Sequence, residues 1–383
     1  MIRGFRARTS GLALPKTAEV VALLAIVLAI SAAAFTVAGQ AGAKPESGTT
    51  QCAPGVSLYG FSDALDKTTY RGTAVGGLSG ITYDAQRDVY YALVDNQGTT
   101  ASRFYTLRLR TDGKKVRKPK VLDVTILRDG DGTPFTGANF DGEGIALTPE
   151  GDLLVSSETE PSIRRFALDG TYLGELQVPD RFLVGSGGGQ TNQTFESLSL
   201  SPDGSLFTIN EGFLASDGET ADGGDRLRIL RYENDAQQGF VPAEEFYYQA
   251  DPGPGVAEVI ALSEDELLVL ERGFEAGVGN TIRIYKVSLD GAADVSGVDS
   301  LATSEVEPVQ KELLVDLADC PSGGATTAPG AVQSNPLLDN FEALTLGPVL
   351  PDGRQSLVLA SDDNFSGGQT TRLVVLAVDR NFL

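Results

Sequence analysis

The sequence predicts an all-β fold, a five-bladed β-propeller of four-stranded antiparallel blades, and three observations support this prediction. Turn-forming residues are frequent, with 45 Gly and 18 Pro among 383 residues, and they separate short apolar runs at regular intervals. Long amphipathic helical patterns are missing. One strand–turn–strand pattern recurs five times along the chain, as expected for a repeat architecture.

The five copies of this pattern share a similar first strand. They start at Gly77, Asp141, Phe195, Ala257 and Phe341. Two more strand-like runs follow each copy except the last, which has only the run RLVVLAV at residues 372–378. The run VSLYGFSD at residues 56–63 is predicted to supply the missing strand, so that the two ends of the chain close the ring. The alternative is a sixth, degenerate blade in residues 290–308, which we otherwise expect to form an outer excursion.

The first 43 residues predict export. Basic residues between Arg3 and Lys16 precede an uncharged run from Val20 to Ala38, and Ala41-Gly42-Ala43 resembles a signal-peptidase site. Because the apolar run is about as long as a membrane span, an uncleaved N-terminal anchor is the alternative. In either case we expect residues 44–383 to form one domain that is secreted or otherwise outside the cytoplasm.

The chain is strongly acidic, with 52 Asp and Glu against 30 Lys and Arg and a formal net charge of −22. Such a surface repels a phosphate backbone and attracts divalent cations, so nucleic acid is not an expected partner. We expect a monomer that acts on a small molecule and meets a membrane only through its N-terminal segment. Solubility or a saline habitat would also account for much of the acidic surplus.

Cys52 and Cys320 are the only two cysteines. An even pair in an exported chain predicts a disulfide, which would tie the N-terminal strand to the segment that enters the last repeat. Two free buried thiols are the alternative.

Polar residues recur at two positions of the repeat. The first strand starts with Ser79, Glu143, Glu196, Glu258 and Glu342. The second strand ends with Asp95, Glu158, Glu211, Glu271 and either Asp362 or Asp363. Both positions lie on the same face of a propeller, so these carboxylates are predicted to ring one mouth of the central channel.

The most regular of these residues have a structural interpretation. A Glu at the same place in each blade could accept backbone hydrogen bonds or hold an Arg of the next blade. The less regular groups are better candidates for function, and they are Asp95-Asn96, Glu211, Glu271-Arg272 and Asp362-Asp363-Asn364. Clustered oxygen donors favour calcium over magnesium, and zinc lacks its usual nitrogen or sulfur ligands.

The absence of histidine excludes several kinds of catalysis. With no His in the chain, Ser-His-Asp hydrolysis, Cys-His catalysis and histidine metal sites are ruled out. The GxSxG and GxxxxGK[ST] motifs are also missing. Any hydrolysis must therefore depend on carboxylates, a bound metal, Arg, Lys or Tyr.

Four segments carry a resemblance to a known family. GGLSGITYDAQRDVYYALVDNQG at 76–98, NFDGEGIAL at 139–147, and DNFEALTL at 339–346 with PDGRQSLVLASDDNFS at 351–366 resemble the phytase-like family, described as having esterase-like activity. The resemblance extends over about residues 56–383. It implies an exported propeller that hydrolyses phosphate esters with the help of calcium.

The residues that this activity would require can be assigned from the predicted ring. The candidate catalytic residues are Glu211, Glu271, Asp362 and Asp363, which would hold calcium beside a metal-activated water. The candidate phosphate-binding residues are Arg103, Arg226, Arg272 and Arg372. The full set of candidate calcium ligands is Asp95, Asn96, Glu143, Glu158, Glu196, Glu211, Glu258, Glu271, Glu342, Asp362, Asp363 and Asn364.

Two other functions fit the same pattern. One is a non-catalytic propeller that is stabilised by calcium and binds a ligand. The other is a metal-dependent lactonase or esterase, since one fold supports several chemistries.

Overall fold

Short runs of Val, Leu, Ile and Tyr form strands throughout the chain. In the computed structural model, which describes residues 50–96, 98–111 and 116–383, these strands build five antiparallel sheets of four or five strands and one two-stranded ribbon. The described residues belong to one unit, Gly48–Leu383. The predicted signal peptide or anchor at residues 1–43 lies outside the described residues. Within the described part of the chain, no helix has the length and apolarity needed to cross a membrane.

The first four blades follow the chain in order. Two N-terminal strands, β1 (Gln51–Ala53) and β2 (Val56–Ser62), precede the ribbon of β3 (Thr68–Tyr70) and β4 (Thr73–Val75). Blade 1 contains β5 (Leu78–Asp84), β6 (Val89–Val94), β7 (Arg103–Arg108) and β8 (Lys120–Ile126). Blade 2 contains β9 (Gly142–Leu147), β10 (Leu153–Ser157), β11 (Ser162–Phe166) and β12 (Tyr172–Glu175). Blade 3 contains β13 (Ser199–Leu200), β14 (Leu206–Ile209), β15 (Arg226–Asp235) and β16 (Gly239–Gln249). Blade 4 contains β17 (Gly255–Ala261), β18 (Glu266–Glu275), β19 (Gly279–Ser288) and β20 (Gln310–Asp316).

Blade 5 is closed by the N-terminal strand, as the sequence predicts. It contains β21 (Phe341–Val349), β22 (Gln355–Ser361) and β23 (Leu373–Val378), and β2 pairs antiparallel with β23. The register places Val56 opposite Val378. Strand β1 adds to the outer edge of β2, and Cys52 at its centre forms the predicted disulfide with Cys320.

Hydrophobic cores lie between neighbouring blades and hold the ring together. Tyr91 of blade 1, for example, packs in one cluster with Val155 and Phe166 of blade 2. Corresponding clusters join blades 2 and 3, 3 and 4, 4 and 5, and 5 and 1. Because each blade is covered on both faces, the middle strands β6 and β23 are buried along their whole length.

The inner strands approach each other closely around the channel. Strand β5 contacts β9 and β21, and β17 contacts both β13 and β21. A Cβ at Gly80 would lie 2.3 Å from the carbonyl oxygen of Glu143, and one at Gly144 would lie 2.4 Å from the backbone nitrogen of Leu198. Glycine is therefore required where these inner strands meet.

The stretch at residues 290–308 is an outer excursion and not a blade. Val295 and Leu301 pack against Tyr247 on β16. No sixth blade occurs within the described residues. The short 3₁₀ helices are Asp180–Phe182, Leu301–Thr303, Leu317–Asp319 and Arg380–Phe382.

Candidate functional site

A cavity of about 690 Å³ opens where the inner strands begin. Its lining includes one guanidinium, that of Arg272. The carboxylates that line it, which with Asp141 define the acidic cavity, are Asp95, Glu143, Glu158, Glu196, Glu211, Glu342 and Asp362. Blade starts and second-strand ends thus converge at one mouth, the place where the repeat pattern predicts them.

Two groups of carboxylates are close enough to share a ligand. One oxygen from each of Asp95, Asp141 and Glu143 lies within 4.8 Å of the others, and the same holds for Glu158, Glu196 and Glu211. The first group joins blades 1 and 2, and the second joins blades 2 and 3. Such spacing between like charges is unfavourable unless protons or a cation occupy the site.

Burial raises the pKa of these carboxyl groups. For Asp141, burial and then a hydrogen bond with Asp95 raise the pKa to about 9. For Glu158, burial and then the charge of Glu211 raise the pKa to about 8. The pKa values of Glu143 and Glu196 are also well above normal, first because both are buried and then because other carboxylates face them. These carboxyl groups therefore keep their protons to higher pH than free carboxyl groups do, and a bound cation would displace those protons.

Arg272 partly offsets this negative charge. It lies on β18 and lines the cavity, and its Nη2 donates to Glu211 at 3.1 Å and to Glu342 at 2.8 Å. Its Nε is buried and has no hydrogen-bond partner. The guanidinium therefore bridges Glu211 of blade 3 and Glu342 of blade 5.

The turn after β22 presents two neighbouring carboxylates in opposite directions. Asp362 lines the cavity and accepts a hydrogen bond from the backbone N–H of Asn364 at 2.6 Å. Asn364 and Phe365 adopt positive φ angles of 46° and 50°, an unfavourable conformation that turns the chain sharply. Burial, followed by the charge of Glu342, raises the pKa of Asp362 well above normal.

Asp363, in contrast, does not reach the cavity. It pairs with Lys67 at 2.5 Å and accepts a hydrogen bond from the backbone N–H of Gly77 at 3.0 Å. It therefore ties blade 5 to the start of blade 1.

Glu271 and Glu258 are also placed away from the cavity. Successive residues of a strand point to opposite faces, so Arg272 faces the channel while Glu271 is turned into blade 4. There Glu271 is fully buried and accepts hydrogen bonds from Tyr248 and Lys311, both at 2.6 Å. Glu258 accepts a hydrogen bond from the backbone N–H of Val259 at 3.0 Å. This matches the structural interpretation of the regular glutamates for Glu258, and Glu342, which lines the cavity, also holds an Arg of the neighbouring blade, Arg272.

Three of the four predicted phosphate-binding arginines make their hydrogen bonds outside the acidic cavity. Arg103 is buried and donates to Asn96, to the hydroxyl of Tyr105 at 3.2 Å and to the carbonyl of Ala74 at 3.2 Å. Arg226 donates to the carbonyls of Asp217 and Glu219.

Arg372 is the most completely enclosed of these arginines. It is fully buried in a paired contact with Asp63, at 2.7 and 2.8 Å, and it also donates to three backbone carbonyls. Of the predicted four, only Arg272 lies in the acidic cavity.

The polar residues of blade 1 differ in their burial and in their hydrogen-bond partners. Asp95 lines the cavity, and its Oδ1 is buried without a hydrogen-bond partner. Asn96 is buried behind it, where its backbone N–H donates to Asp141 at 3.1 Å and its side chain holds Arg103. Ser79 is buried and its hydroxyl has no partner.

Asp141 and Asn340 belong to the site although the repeat pattern did not single them out. Each lies two residues before a strand-one glutamate, Glu143 or Glu342, which is the spacing that puts side chains on one face of a strand. Asn340 donates to Glu342 at 2.9 Å. The alternation of side-chain direction along a strand could therefore have identified both residues from the sequence.

The donor set of the acidic cavity fits a hard cation. All its ligand atoms are oxygens, in the carboxylate and amide chemistry that calcium prefers. The unpartnered oxygen of Asp95 and the close carboxylate groups leave buried oxygens that either protons or a bound cation must satisfy. The clusters could therefore bind a metal ion.

Comparison with protein families identifies the chain. The family model described as phytase-like, esterase-like activity of phytase, matches residues 73–365. The chain belongs to the phytase-like family. A curated relative of this phytase-like chain is an uncharacterized secreted protein of Arthroderma benhamiae, 24% identical over 42% of this chain and 45% of the relative. The match thus spans less than half the length of that relative.

Solved structures show distant likeness to the phytase-like chain. The tail fiber of Staphylococcus aureus phage P68 has a TM-score of 0.40 and 10% identity, with 84% of this chain and 54% of that chain covered. The calcium structure of a Trichoderma reesei protein of carbohydrate-active enzyme family AA12 has a TM-score of 0.38 and 12% identity, with 86% and 96% covered. The periplasmic gluconolactonase of Pseudomonas aeruginosa has a TM-score of 0.32 and 14% identity, with 82% and 87% covered.

Proposed function

We propose that this phytase-like chain is an exported, calcium-dependent hydrolase of phosphate esters, with the acidic cavity as its active site. The observation that carries the proposal is the convergence of carboxylates, most of them buried, from all blades except blade 4 on a cavity where blade 4 supplies one guanidinium. Membership of the phytase-like family supports phosphate-ester chemistry.

The carboxylates that would hold calcium are those of the two close groups, supported by Glu342 and Asp362. When bound, calcium supplies positive charge that attracts phosphate oxygens and makes a nearby water more acidic. Asp363, Glu271 and Glu258 are not included, because their side chains are committed to contacts outside the cavity.

Arg272 is the residue that would bind the phosphate group directly. Its Nη2 is held by Glu211 and Glu342, so the guanidinium is fixed before substrate arrives. The side chain is 21% exposed, so a phosphate oxygen in the cavity can accept a hydrogen bond from the side of the guanidinium that Glu211 and Glu342 leave open. Hydrolysis breaks one P–O bond, water supplies the new oxygen, and the products are an alcohol and phosphate.

Three observations support export. The N-terminal sequence has the pattern of a signal peptide or anchor, Cys52 and Cys320 form a disulfide, and a relative is described as secreted. In this setting calcium is available at concentrations that suit a site of modest affinity.

The test compares two adjacent aspartates. The protein released by a secretion host is assayed on phosphomonoesters, carboxyl esters and lactones, with calcium or with chelator. We expect calcium-dependent phosphomonoester turnover that falls at least tenfold in Asp362→Asn. Asp363→Asn, which faces away from the cavity, should keep its turnover per folded molecule, and the exposed Asp352→Asn serves as the surface control.

Other outcomes would replace the proposal. Turnover of only carboxyl esters or lactones would assign a metal-dependent esterase or lactonase. A melting temperature raised by calcium without any turnover would assign a calcium-stabilised binding propeller. Equal turnover in Asp362→Asn and the unmodified protein would remove the acidic cavity from the mechanism.

A further inference from the structure

Basic residues are concentrated in one short segment of this acidic chain. Residues 108–120 contain seven of the 30 Lys and Arg residues and one acidic residue, Asp112, whereas the whole chain has a net charge of −22. A uniform distribution would place about one basic residue in such a segment. The segment therefore reverses the local sign of the protein's charge.

The described cations of this segment meet at the outer side of blade 1. Arg108 ends β7 and Lys120 begins β8, and these two residues are opposite each other in the antiparallel register. Arg110 and Lys118 are exposed beside them. These four residues, Arg108, Arg110, Lys118 and Lys120, are called the basic patch below, and they line a surface cavity of about 890 Å³.

The basic patch has little internal counter-charge. Within the described part of the chain, none of its four cations forms an ion pair, although Asp88 also lines the cavity and accepts a hydrogen bond from Tyr83 at 3.1 Å. The Nε of Arg108 is buried without a hydrogen-bond partner. Like charges directly opposite each other on paired strands are destabilising, so the register of Arg108 and Lys120 has a cost that a bound anion would offset.

The basic patch and the acidic cavity lie at opposite ends of blade 1. Arg103, at the other end of β7, is paired with Val94, which leads directly to Asp95 in the acidic cavity. The five residue steps from Arg103 to Arg108 correspond to about 17 Å along a strand. Val349, from the far end of β21, lines the patch cavity, as expected for this end of the propeller.

We propose that the basic patch binds a linear, phosphate-bearing polyanion and holds the propeller with its acidic cavity facing away from the polymer. The patch is open, three of its four cations are exposed and Arg108 is half-buried, which suits successive charges of a polymer better than one enclosed ion. The acidic remainder of the surface repels the same polymer, so contact is confined to this end. The guanidinium groups match phosphate oxygens in geometry, and the ammonium groups add charge.

The experiment measures binding of the full chain to long-chain sodium polyphosphate across a series of NaCl concentrations, in chelator so that the acidic cavity takes no part through calcium. The test variant is Arg108→Gln, Arg110→Gln, Lys118→Gln and Lys120→Gln. A matched control removes four cations from other blades through Arg165→Gln, Arg231→Gln, Lys286→Gln and Arg380→Gln. Both variants change the net charge equally.

We expect the unmodified protein and the control to bind, with affinity that falls as salt rises. The test variant should lose at least tenfold in affinity, and the slope of log K against log[NaCl] should become shallower by about 3, or about 0.7 for each lost contact. Its melting temperature should not fall, because the substitutions remove opposed like charges.

Three results would overturn the proposal. They are no binding of polyphosphate at low salt, equal weakening of the test and control variants, and binding to phosphatidylglycerol vesicles but not to polyphosphate. The last result would assign the patch to a membrane surface. Because no substrate turnover is measured, failure of the patch and failure of the acidic cavity as an active site are distinguishable.

Discussion

Adjacent polar residues have different roles because the direction of each side chain decides its environment. Asp362 faces the acidic cavity, whereas Asp363 pairs with Lys67 and caps the start of blade 1. Arg272 faces the cavity, whereas Glu271 is buried against Lys311. The functional carboxylates are thus defined by which face of the strand end they occupy.

Glu211 tests the metal-binding role of a single carboxylate. Glu211→Gln removes one negative oxygen from the group that it forms with Glu158 and Glu196, so calcium affinity should fall about tenfold. Calorimetric titration of calcium measures this change. The exposed Glu312→Gln on β20 is the control, and equal affinities in the two variants would contradict the proposed ligand set.

A substitution of Glu271 tests whether this residue has a structural role and is not a calcium ligand. Glu271→Gln leaves the ammonium of Lys311 with one fewer charged partner in a buried network, so the free energy of unfolding should fall by about 2 kcal/mol. Calcium affinity should stay unchanged. Denaturant unfolding and calcium titration of the same sample separate the two effects, and a loss of calcium affinity without a loss of stability would return Glu271 to the metal site.

The sequence predicts the candidate-site residues that lie on a regular strand or directly beside one. Period-two alternation places Asp141 with Glu143 and separates Glu271 from Arg272, and both relations can be counted in the sequence. The turn at Asn364 and Phe365 could not be inferred, because a bulky residue such as Phe365 rarely adopts the positive φ angle that it has here. Arg103 and Arg372 donate hydrogen bonds to backbone carbonyls of segments that are distant in the sequence, and no local sequence pattern predicts those contacts.

At the scale of elements, closure of the ring joins two distant parts of the chain. Strand β2 completes blade 5 beside β23, and the Cys52–Cys320 disulfide connects segments 268 residues apart. The missing strand of the last repeat made this closure predictable. The short inner strand β13 was less predictable, since only two residues of blade 3 keep regular pairing there.

The disulfide should contribute to stability through the unfolded state. Cys52→Ser with Cys320→Ser releases a very long loop, so the free energy of unfolding should fall by about 2–4 kcal/mol. Urea unfolding of the oxidised protein and of the double variant measures the difference. An unchanged free energy would show that the pairing of β2 with β23 is sufficient to close the ring.

At the scale of the whole molecule, buried acidity makes stability depend on pH and calcium. The pKa of Asp141 is raised from 3.8 to about 9 and that of Glu158 from 4.5 to about 8, in each case first by burial. Between the unfolded and the folded pKa values, the folded state therefore binds more protons than the unfolded state. The free energy of unfolding should then fall as pH rises. With no histidine in the chain, no imidazole titrates in this window.

The corresponding measurement is the melting temperature between pH 5 and pH 8, in chelator and in calcium. In chelator it should fall as pH rises, because unfolding releases the protons that Asp141 and Glu158 hold in the folded state. In calcium the fall should be smaller, since the cation replaces those protons. A melting temperature that rises with pH in chelator would contradict the raised pKa values.

The charge distribution also gives the molecule two ends of opposite sign. The acidic cavity attracts cations at one end of blade 1, and the basic patch is placed to meet anions at the other. The fold and the repeat could be predicted from the sequence. The separation of acidic and basic groups could not, because it depends on Asp95 and Arg108 lying at opposite ends of one blade.

Calorimetric titration of calcium into chelator-treated protein at pH 7.5, repeated in buffers of different ionisation enthalpy, tests the central claim most directly. We predict saturable binding with release of protons from the acidic cavity, and phosphomonoester turnover that reaches half its maximum at the calcium concentration that half-saturates binding. Absence of calcium binding, or turnover that is independent of calcium, would contradict the account.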